Sequence, residues 1–505
     1  MDTMSFAQIH THALNGVTAI PVTVEIYISN GLPALSIVGL PEAAVRESKD
    51  RVRAAIISSG LDFPARRITV NLAPADLPKD GGRYDLPIAI GILAASQQVP
   101  DDVLDNFEFH GELALSGKLR SVSGALPIAI GAKNLNHSLI LPSESAQQGA
   151  LIKDVDIYQA DNLLEICKFL HRQIDLQRPQ KHRLQTMTPT TDISDIKGQH
   201  RAKRALEIAA AGNHNMLMVG PPGTGKTMLA SRLSSLLPGL NEKQAIESAT
   251  IRSISHQGFD IADWMQRPFR APHHTASGVA LVGGGSNPMP GEISLAHNGV
   301  LFLDELTEFN RQTLDVLREP LETGSITISR AARQAEFPAN FQLIAAMNPC
   351  PQGYNCDGKQ LCQCTREQQK KHRSKISAPL LDRIDIHIEV PAVDISAISN
   401  TTCSSETNKE VKQRIDIAYK SQMQRNGKLN ALLTSRETET HCILNKTESN
   451  LLNQAMDKLK LSARAYHRIL RMSRTIADLE KSVEIKTPHL TEAISYRSLD
   501  RFVNT

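Results

Sequence analysis

The chain runs to 505 residues, of which 41% are hydrophobic and 22% charged. That length calls for two or three domains, and that balance excludes disordered and fibrous classes. A net charge of +3 is too small to name a partner, so any nucleic-acid binding has to rest on local patches.

No apolar run approaches the roughly 18 residues that span a membrane. The opening MDTMSFAQIHTHALNG has acidic, polar and histidine residues where a signal peptide carries a basic region and an apolar core. A cytoplasmic protein with no membrane partner is expected. In that reducing compartment seven cysteines argue for metal ligands or plain thiols over disulfides.

Residues 1–172 read as an α+β domain. Val22, Val24, Ile26 and Ile28 alternate with Thr23, Glu25 and Tyr27, the period of a half-buried strand. PEAAVRESKDRVRAAIISSG predicts a helix stopped by Gly60. RRITVNLAP predicts a strand, and LPIAIGILAAS an apolar helix after a glycine-rich turn. Residues 173–191 are polar, proline-containing and aperiodic, as a linker is. From 192 to 395 helices alternate with buried strands, HNMLMVG, NGVLFLDE and FQLIAAMNP among them, the pattern of a parallel α/β sheet. Residues 396–505 are helical, with amphipathic stretches such as NKEVKQRIDIAYKSQMQR and SARAYHRILRMSRTIADLE.

GPPGTGKT carries the first chemistry. Gly220, Pro221, Pro222, Gly223, Thr224, Gly225, Lys226 and Thr227 fit a P-loop between a predicted strand and a predicted helix. Glycines let backbone N–H groups wrap phosphates, and the helix N-terminus adds its dipole. Lys226 is expected to bridge the β- and γ-phosphates of ATP, with Thr227 on Mg2+. Asp304 closes the apolar strand of GVLFLDE, where a carboxylate reaches the Mg2+ shell. Glu305 follows as the residue to polarise the attacking water. Asn348 of LIAAMNP is placed to orient that water, and Arg383 of LLDRIDIH is a candidate arginine finger for a neighbouring subunit's nucleotide.

The order GPPGTGKT, FLDE, MNP, LLDRID resembles AAA+ ATPases of the magnesium-chelatase-like branch. FRAPHHTAS, LREPLETG, ARAYHRILRMSRTIADLE and GLPEAAVRESKDRVRAAI extend the resemblance to the ComM/YifB family over nearly the whole chain. The resemblance implies an AAA+ parallel-sheet core with a helical lid, a homohexameric ring, and DNA branch migration in natural transformation. It implies a sensor-2 role for Arg464, and an adenine pocket lined by Ile196, Lys197 and Gly198. Single-stranded, duplex and branched DNA, and a recombinase, are the partners it implies.

Two insertions follow from the same branch. In GSITISRAARQAEFPA, Ile326 and Ile328 alternate with Thr327 and Ser329, and Arg330 and Arg333 fall at the tip. That reads as a hairpin offering phosphate contacts, or as an exposed turn with solvated charges. RPFRAPHHTASGVALVGGGS holds Arg270, His273 and His274. Adjacent residues on an extended chain point opposite ways, so the two histidines read as pore-facing or interface groups, not shared ligands. Within the core, Cys350, Cys356, Cys362 and Cys364 are spaced C-x5-C-x5-C-x-C. Relatives carry CPCG at the start, where this chain has Gln352 in place of the second cysteine. The set reads as a Zn2+ site or as reduced thiols. Arg366, Lys370, Lys371, Arg373 and Lys375 just beyond could grip a phosphate backbone.

The N-terminal domain resembles the proteolytic domain of Lon, of the ribosomal S5 domain 2-like class. Arg83 of KDGGRYDLP stands where Lon has its serine, and Leu126 of SVSGALPIA where it has its lysine. Neither can do nucleophilic chemistry, so no peptidase activity is expected. Arg51, Arg53, Arg66 and Arg67 are candidate DNA contacts there. The functional expectation is an ATP-driven DNA translocase. A chelatase-like motor acting on a protein partner, and an ATP-dependent protease, are the alternatives.

Overall fold

The computed structural model describes residues 5–180, 191–285, 287–330, 333–353, 364–392 and 406–497, apart from the side chains of Arg330, Arg333 and Arg366. The chain divides into two compact units: Met1–Gln185 with Ala245–Trp264, and Thr186–Gln244 with Met265–Thr505. The excursion Ala245–Trp264, expected in the ATPase core, belongs to the first unit because Ala249 and Phe259 are buried there with Leu126, Ile128 and Leu141. The start of the expected linker packs there too, with Leu176 buried and the Gln159 N–H donating to the Gln177 carbonyl at 2.9 Å. Residues 181–190 of that linker lie outside the described residues.

Among the described residues of the first unit, seven strands form one mixed sheet. They are β1 (Ser5–Asn15), β2 (Thr18–Ser29), β3 (Ala34–Val38), β4 (Arg67–Ala73), β5 (Phe107–Phe109), β6 (Ser138–Pro142) and β7 (Ile157–Ala160), in the order β3-β4-β2-β1-β5-β6-β7. Val22, Val24, Ile26 and Ile28 are buried as the alternation predicts. β1 pairs along its whole length with β2, but its parallel contact with β5 has the single registered pair His10↔Glu108.

Helices α1 (Ser48–Ser58), α2 (Asp85–Ala95) and α3 (Ala125–Leu135) cover the sheet. α2 lies so close that a Cβ on Gly91 would sit 2.5 Å from Ile26 Cγ1 and 3.2 Å from Ile9 Cγ1. Side chains of opposite parity on β1 face the other way, and there α3 passes His12 at Gly131.

In the second unit, β8 (Met216–Val219), β9 (Phe269–Arg270), β10 (Val300–Leu303), β13 (Gln342–Met347) and β14 (Ile386–Glu389) form a parallel sheet in the order β9-β10-β13-β8-β14, among the described residues. Strands buried on both faces read as unbroken apolar runs, and VLFL and QLIAAM are buried throughout. Between β10 and β13, β11 (Ser325–Arg330) and β12 (Arg333–Pro338) form the expected hairpin, with Arg330 opposite Arg333. Helices α4 (His200–Gly212) and α5 (Lys226–Leu236) precede and follow β8, and α6 (Arg366–Arg373) follows the cysteine-rich stretch.

The helical C-terminal region packs into the same core. Val411, Ile415 and Ala418 of α7 (Asn408–Asn426) and Ile469, Leu470 and Ile476 of α8 (Ala463–Leu479) join Leu206 and Ile208 of α4. A polar clamp fixes the contact. Asp385, before β14, pairs with Arg468 of α8, meets His214 Nδ1 at 3.4 Å and accepts from the Asn215 N–H at 3.2 Å. Burial alone would push this carboxyl up, but Arg468 and His214 outweigh it and hold it below the ordinary carboxylate range.

Arg51 of α1, a candidate DNA contact, is engaged internally. Its Nε donates to Asp85 Oδ2 at 2.7 Å and its Nη2 to Oδ1 at 3.0 Å, while Asp85 is fully buried. Burial pushes the Asp85 carboxyl up despite these bonds. Arg51→Ala leaves that acid without its charge partner, and a loss of about 3 kcal/mol is expected in denaturant unfolding of the first unit. A variant with unchanged stability but weaker DNA binding would return Arg51 to the surface role.

Candidate active site

The second sheet brings its chemistry to one edge, because the strands are parallel and the residues after β8, β10 and β13 all emerge at their carboxyl ends. Gly220–Gly225 leave β8, and Lys226 opens α5. Gly223 and Gly225 have φ of +78° and +85°, the left-handed conformation in which side chains are strained. A Cβ on Gly220 would fall 2.2 Å from the Val390 carbonyl oxygen, so the loop can pass strand β14 only as glycine.

A cleft of about 380 Å³ opens between this loop, Asp304, Glu305 and Asn348. Lys226 is 8% exposed and donates to the carbonyls of Gly220 at 2.7 Å and Pro221 at 2.8 Å, and to Asn348 Oδ1 at 3.3 Å. Burial lowers the pKa of its ammonium, against the pull of Asp304 and Glu305. The Thr227 hydroxyl donates to Asp304 Oδ2 at 2.6 Å. Two oxygens, one from the helix start and one from the β10 strand end, are thus paired as hard ligands for Mg2+ are. The Lys226 ammonium beside them fits a polyphosphate, so the donor set suits Mg2+ and ATP together.

Glu305 has φ +51°, a conformation uncommon outside glycine and found at functional sites. Its carboxylate is in contact with His274, Oε2 to Nδ1 at 2.9 Å. The expectation that His273 and His274 diverge is corrected. A turn, closed by the Ala276 N–H donating to the His273 carbonyl at 2.9 Å, brings their ring centroids to 4.1 Å. Sequence reasoning missed this Glu305 partner because the two residues lie 31 positions apart and meet only through a turn. Arg270, offered as a DNA contact, makes a bidentate pair with Glu292, 2.6 Å from Nε and 2.7 Å from Nη2.

Arg383 and Arg464 do not line the cleft. Arg383 is 6% exposed, donates to the Pro379 carbonyl at 2.6 Å and pairs with Glu322. Burial lowers its pKa, opposed by Glu322, and the charges of Arg464, Arg318 and Arg468 lower it further. The two arginines therefore lie within electrostatic reach of each other, with Arg464 exposed on the first turn of α8. Ile196 is buried, Lys197 is exposed, and Gly198 has φ +62°. Gln199 beside them donates to the Pro391 carbonyl at 2.7 Å, tying the segment to the chain beyond β14.

Of the four clustered cysteines, Cys350 and Cys364 are buried, and Cys356 and Cys362 lie outside the described residues. Lys370 and Lys371 are exposed on the last turn of α6, Arg373 is half-buried, and His372 turns inward to the Asn348 carbonyl at 3.1 Å. The side chains of Arg330 and Arg333 are outside the described residues. In the first unit, Arg83 Nη2 donates to Ser123 Oγ at 3.3 Å and Leu126 is fully buried. Neither Arg83 nor Leu126 can serve as the nucleophile or base of a Ser/Lys dyad.

This combination defines a P-loop ATPase of the AAA+ class, with an α/β core, a helical C-terminal region and a mixed-sheet N-terminal domain. The profile of magnesium chelatase, subunit ChlI, matches residues 192–398, that of subunit ChlI of Mg-chelatase residues 24–145, and that of the ChlI C-terminal region residues 405–497. The competence protein ComM of Haemophilus influenzae is 49% identical over 505 residues, 99% of each chain. The uncharacterized protein YifB of Escherichia coli is 49% identical over 500 residues, 99% of this chain and 98% of that one. Lon protease 2 of Bacillus subtilis is 24% identical over 273 residues, 49% of this chain and 48% of that one. The chain belongs to the ComM/YifB family of magnesium-chelatase-like AAA+ proteins with a Lon-like N-terminal region. No helix among the described residues is long and apolar enough to cross a membrane.

If Glu305 polarises water, its contact with His274 holds it back. His274→Ala should raise basal ATP hydrolysis by up to about fivefold, the equivalent of ~1 kcal/mol for a part-exposed ion pair. Glu305→Gln should lower kcat by about 10²–10⁴ while nucleotide still binds. Steady-state phosphate release with a fluorescent-nucleotide binding assay separates the two. A slower His274→Ala variant would rule out the restraining role.

Proposed function

We propose that this protein is an ATP-driven hexameric DNA translocase that promotes branch migration while incoming DNA recombines during natural transformation. The observation that carries the reading is the 49% identity to competence protein ComM across 99% of both chains. Lys226, Thr227, Asp304, Glu305 and Asn348 bind and hydrolyse Mg2+–ATP. Arg383 and Arg464 are absent from this chain's own cleft and act on a neighbouring subunit's nucleotide, which is why a ring is needed. Engaging that nucleotide exchanges the Arg383–Glu322 pair for phosphate. The adenine lies against Ile196, Lys197 and Gly198.

DNA is held without regard to sequence, by Arg330 and Arg333 flanking the hairpin turn and by Lys370, Lys371 and Arg373. Cys350, Cys356, Cys362 and Cys364 would hold Zn2+ in the insertion, a segment too small to have its own core. A recombinase is the expected partner. The Lon-like region serves as a docking or ring-forming module, and casein digestion should stay at background with ATP present.

A chelatase-like motor acting on a protein partner is the second reading, because all three matched profiles are of magnesium-chelatase ChlI. Single-stranded, duplex and four-way-junction DNA should each be added to an ATPase assay. Stimulation together with migration of the junction supports the translocase, and turnover indifferent to every DNA would favour the chelatase-like motor. Lys226→Ala should keep DNA affinity and lose turnover. Lys226→Ala and Arg383→Ala chains are each expected to be inactive alone, and mixing them should restore turnover through interfaces that pair an intact lysine with an intact arginine. Failure of the mixture would remove the shared-site arrangement.

A further inference from the structure

Outside the ATPase unit, the sheet of the first unit buries a cluster of imidazoles around one carboxylate. His10 lies opposite Glu108 in the β1–β5 register. Two residues further along each strand direction come His12 and His110, on the same face by the two-residue period. His12 is 1% exposed, and Glu108 and His110 are fully buried.

Glu108 Oε2 lies 2.8 Å from His12 Nδ1 and 3.8 Å from His110 Nε2. One donor atom each from His12, Glu108 and His110 lies within 4.8 Å of the others. Despite that proximity, both ring nitrogens of His12, Oε2 of Glu108 and Nε2 of His110 have no hydrogen-bond partner among the described residues. Buried polar atoms are rarely left so.

The surroundings fix which lone pairs face inward. The Thr11 hydroxyl donates its single proton to the Phe109 carbonyl at 2.9 Å, so its oxygen accepts from His110 Nδ1 at 3.1 Å. That assigns the His110 proton to Nδ1 and aims the Nε2 lone pair at the carboxylate. Two electron-rich atoms facing each other in a dry site repel unless something positive lies between them. The other oxygen of Glu108 is taken by His137 Nδ1 at 2.9 Å. The His12 ring is wedged against α3, where a Cβ on Gly131 would come within 2.6 Å of Nε2. Metal-binding imidazoles and carboxylates are oriented by such outer partners.

We propose that His12, Glu108 and His110 form a structural Zn2+ site in the first unit. Ligands about 2.05 Å from a tetrahedral zinc stand about 3.3 Å apart, and the 2.8 and 3.8 Å separations bracket that spacing. Two imidazoles and a carboxylate are a borderline donor set that suits zinc over Mg2+ or Ca2+. The fourth position falls to a water molecule. The ion bridges β1 and β5 where the ladder has one registered pair, so it staples the antiparallel half of the sheet to the parallel half. The site is separate from the cysteine cluster, and it stands whether or not the protein acts on DNA.

The test uses the full chain with Cys350, Cys356, Cys362 and Cys364 all changed to serine, stripped with chelator and reloaded with zinc. Elemental analysis should find one zinc per chain, lost in Glu108→Gln on the same background. Thr11→Val, which keeps the shape but frees the His110 tautomer, should weaken zinc binding by about 10- to 100-fold. If Glu108→Gln fails to fold, X-ray absorption at the zinc edge of the parent protein decides. A shell of nitrogen and oxygen supports the site. A chain that takes up no zinc, as expected if a proton is shared between His12 and Glu108, overturns the proposal, as does a Glu108→Gln protein that keeps zinc or uptake with no metal-dependent rise in melting temperature.

Discussion

Asp385 stands two residues beyond Arg383 and directly before β14, the strand flanking the P-loop strand on its outer side. Its carboxylate, 5% exposed, meets Arg468 one helical turn after Arg464. Removing one partner of such a buried pair leaves a charge in low dielectric, at a cost of about 3–5 kcal/mol. The clamp thereby sets the distance between the two arginines assigned to a neighbour's nucleotide, and holds the helical region to the sheet. Arg468 reinforces it by donating to the Arg383 carbonyl at 3.1 Å. The sheet positions the cleft residues in the same way, by ending three parallel strands at one edge. Each catalytic expectation in this chain depends on one or the other of these constraints.

Much of the ATPase core was legible because its chemistry and its geometry share a local signal. A strand buried on both faces is an apolar run, so VLFL ending in Asp304 and QLIAAM leading to Asn348 announce position and role together. The hairpin was legible for a related reason: its alternation and its two arginines lie within ten residues. What stayed hidden was set by partners distant in sequence. Nothing local distinguishes Arg51, which neutralises Asp85, from Arg66 and Arg67, which are exposed. His12 and His110 are 98 positions apart and meet only through strand register. The Arg383–Glu322 pair crosses 61 positions, and an arginine after LLD gives no sign of it.

In the N-terminal unit the residues at the two Lon-like dyad positions make structural contacts. Arg83, at the nucleophile's position, donates to Ser123, three residues before the Leu126 that stands at the base's position. Burial lowers the Arg83 pKa, and Nη1 makes no hydrogen bond among the described residues. Leu126 is packed into an apolar cluster with Ile128 and Leu141. The dyad positions thus hold a hydrogen-bonded arginine and a buried leucine.

The excursion of Ala245–Trp264 into the first unit has a mechanical consequence. The chain passes between the units three times, at 185–186, 244–245 and 264–265, not once through a tether. Severing the 181–190 segment would leave two covalent strands still joining the halves. The crossing at 244–245 falls inside a helix, Glu242–Ser253. A fragment ending near residue 180 would lose Ala249 and Phe259 from its core, and one starting near 190 would carry those apolar groups uncovered.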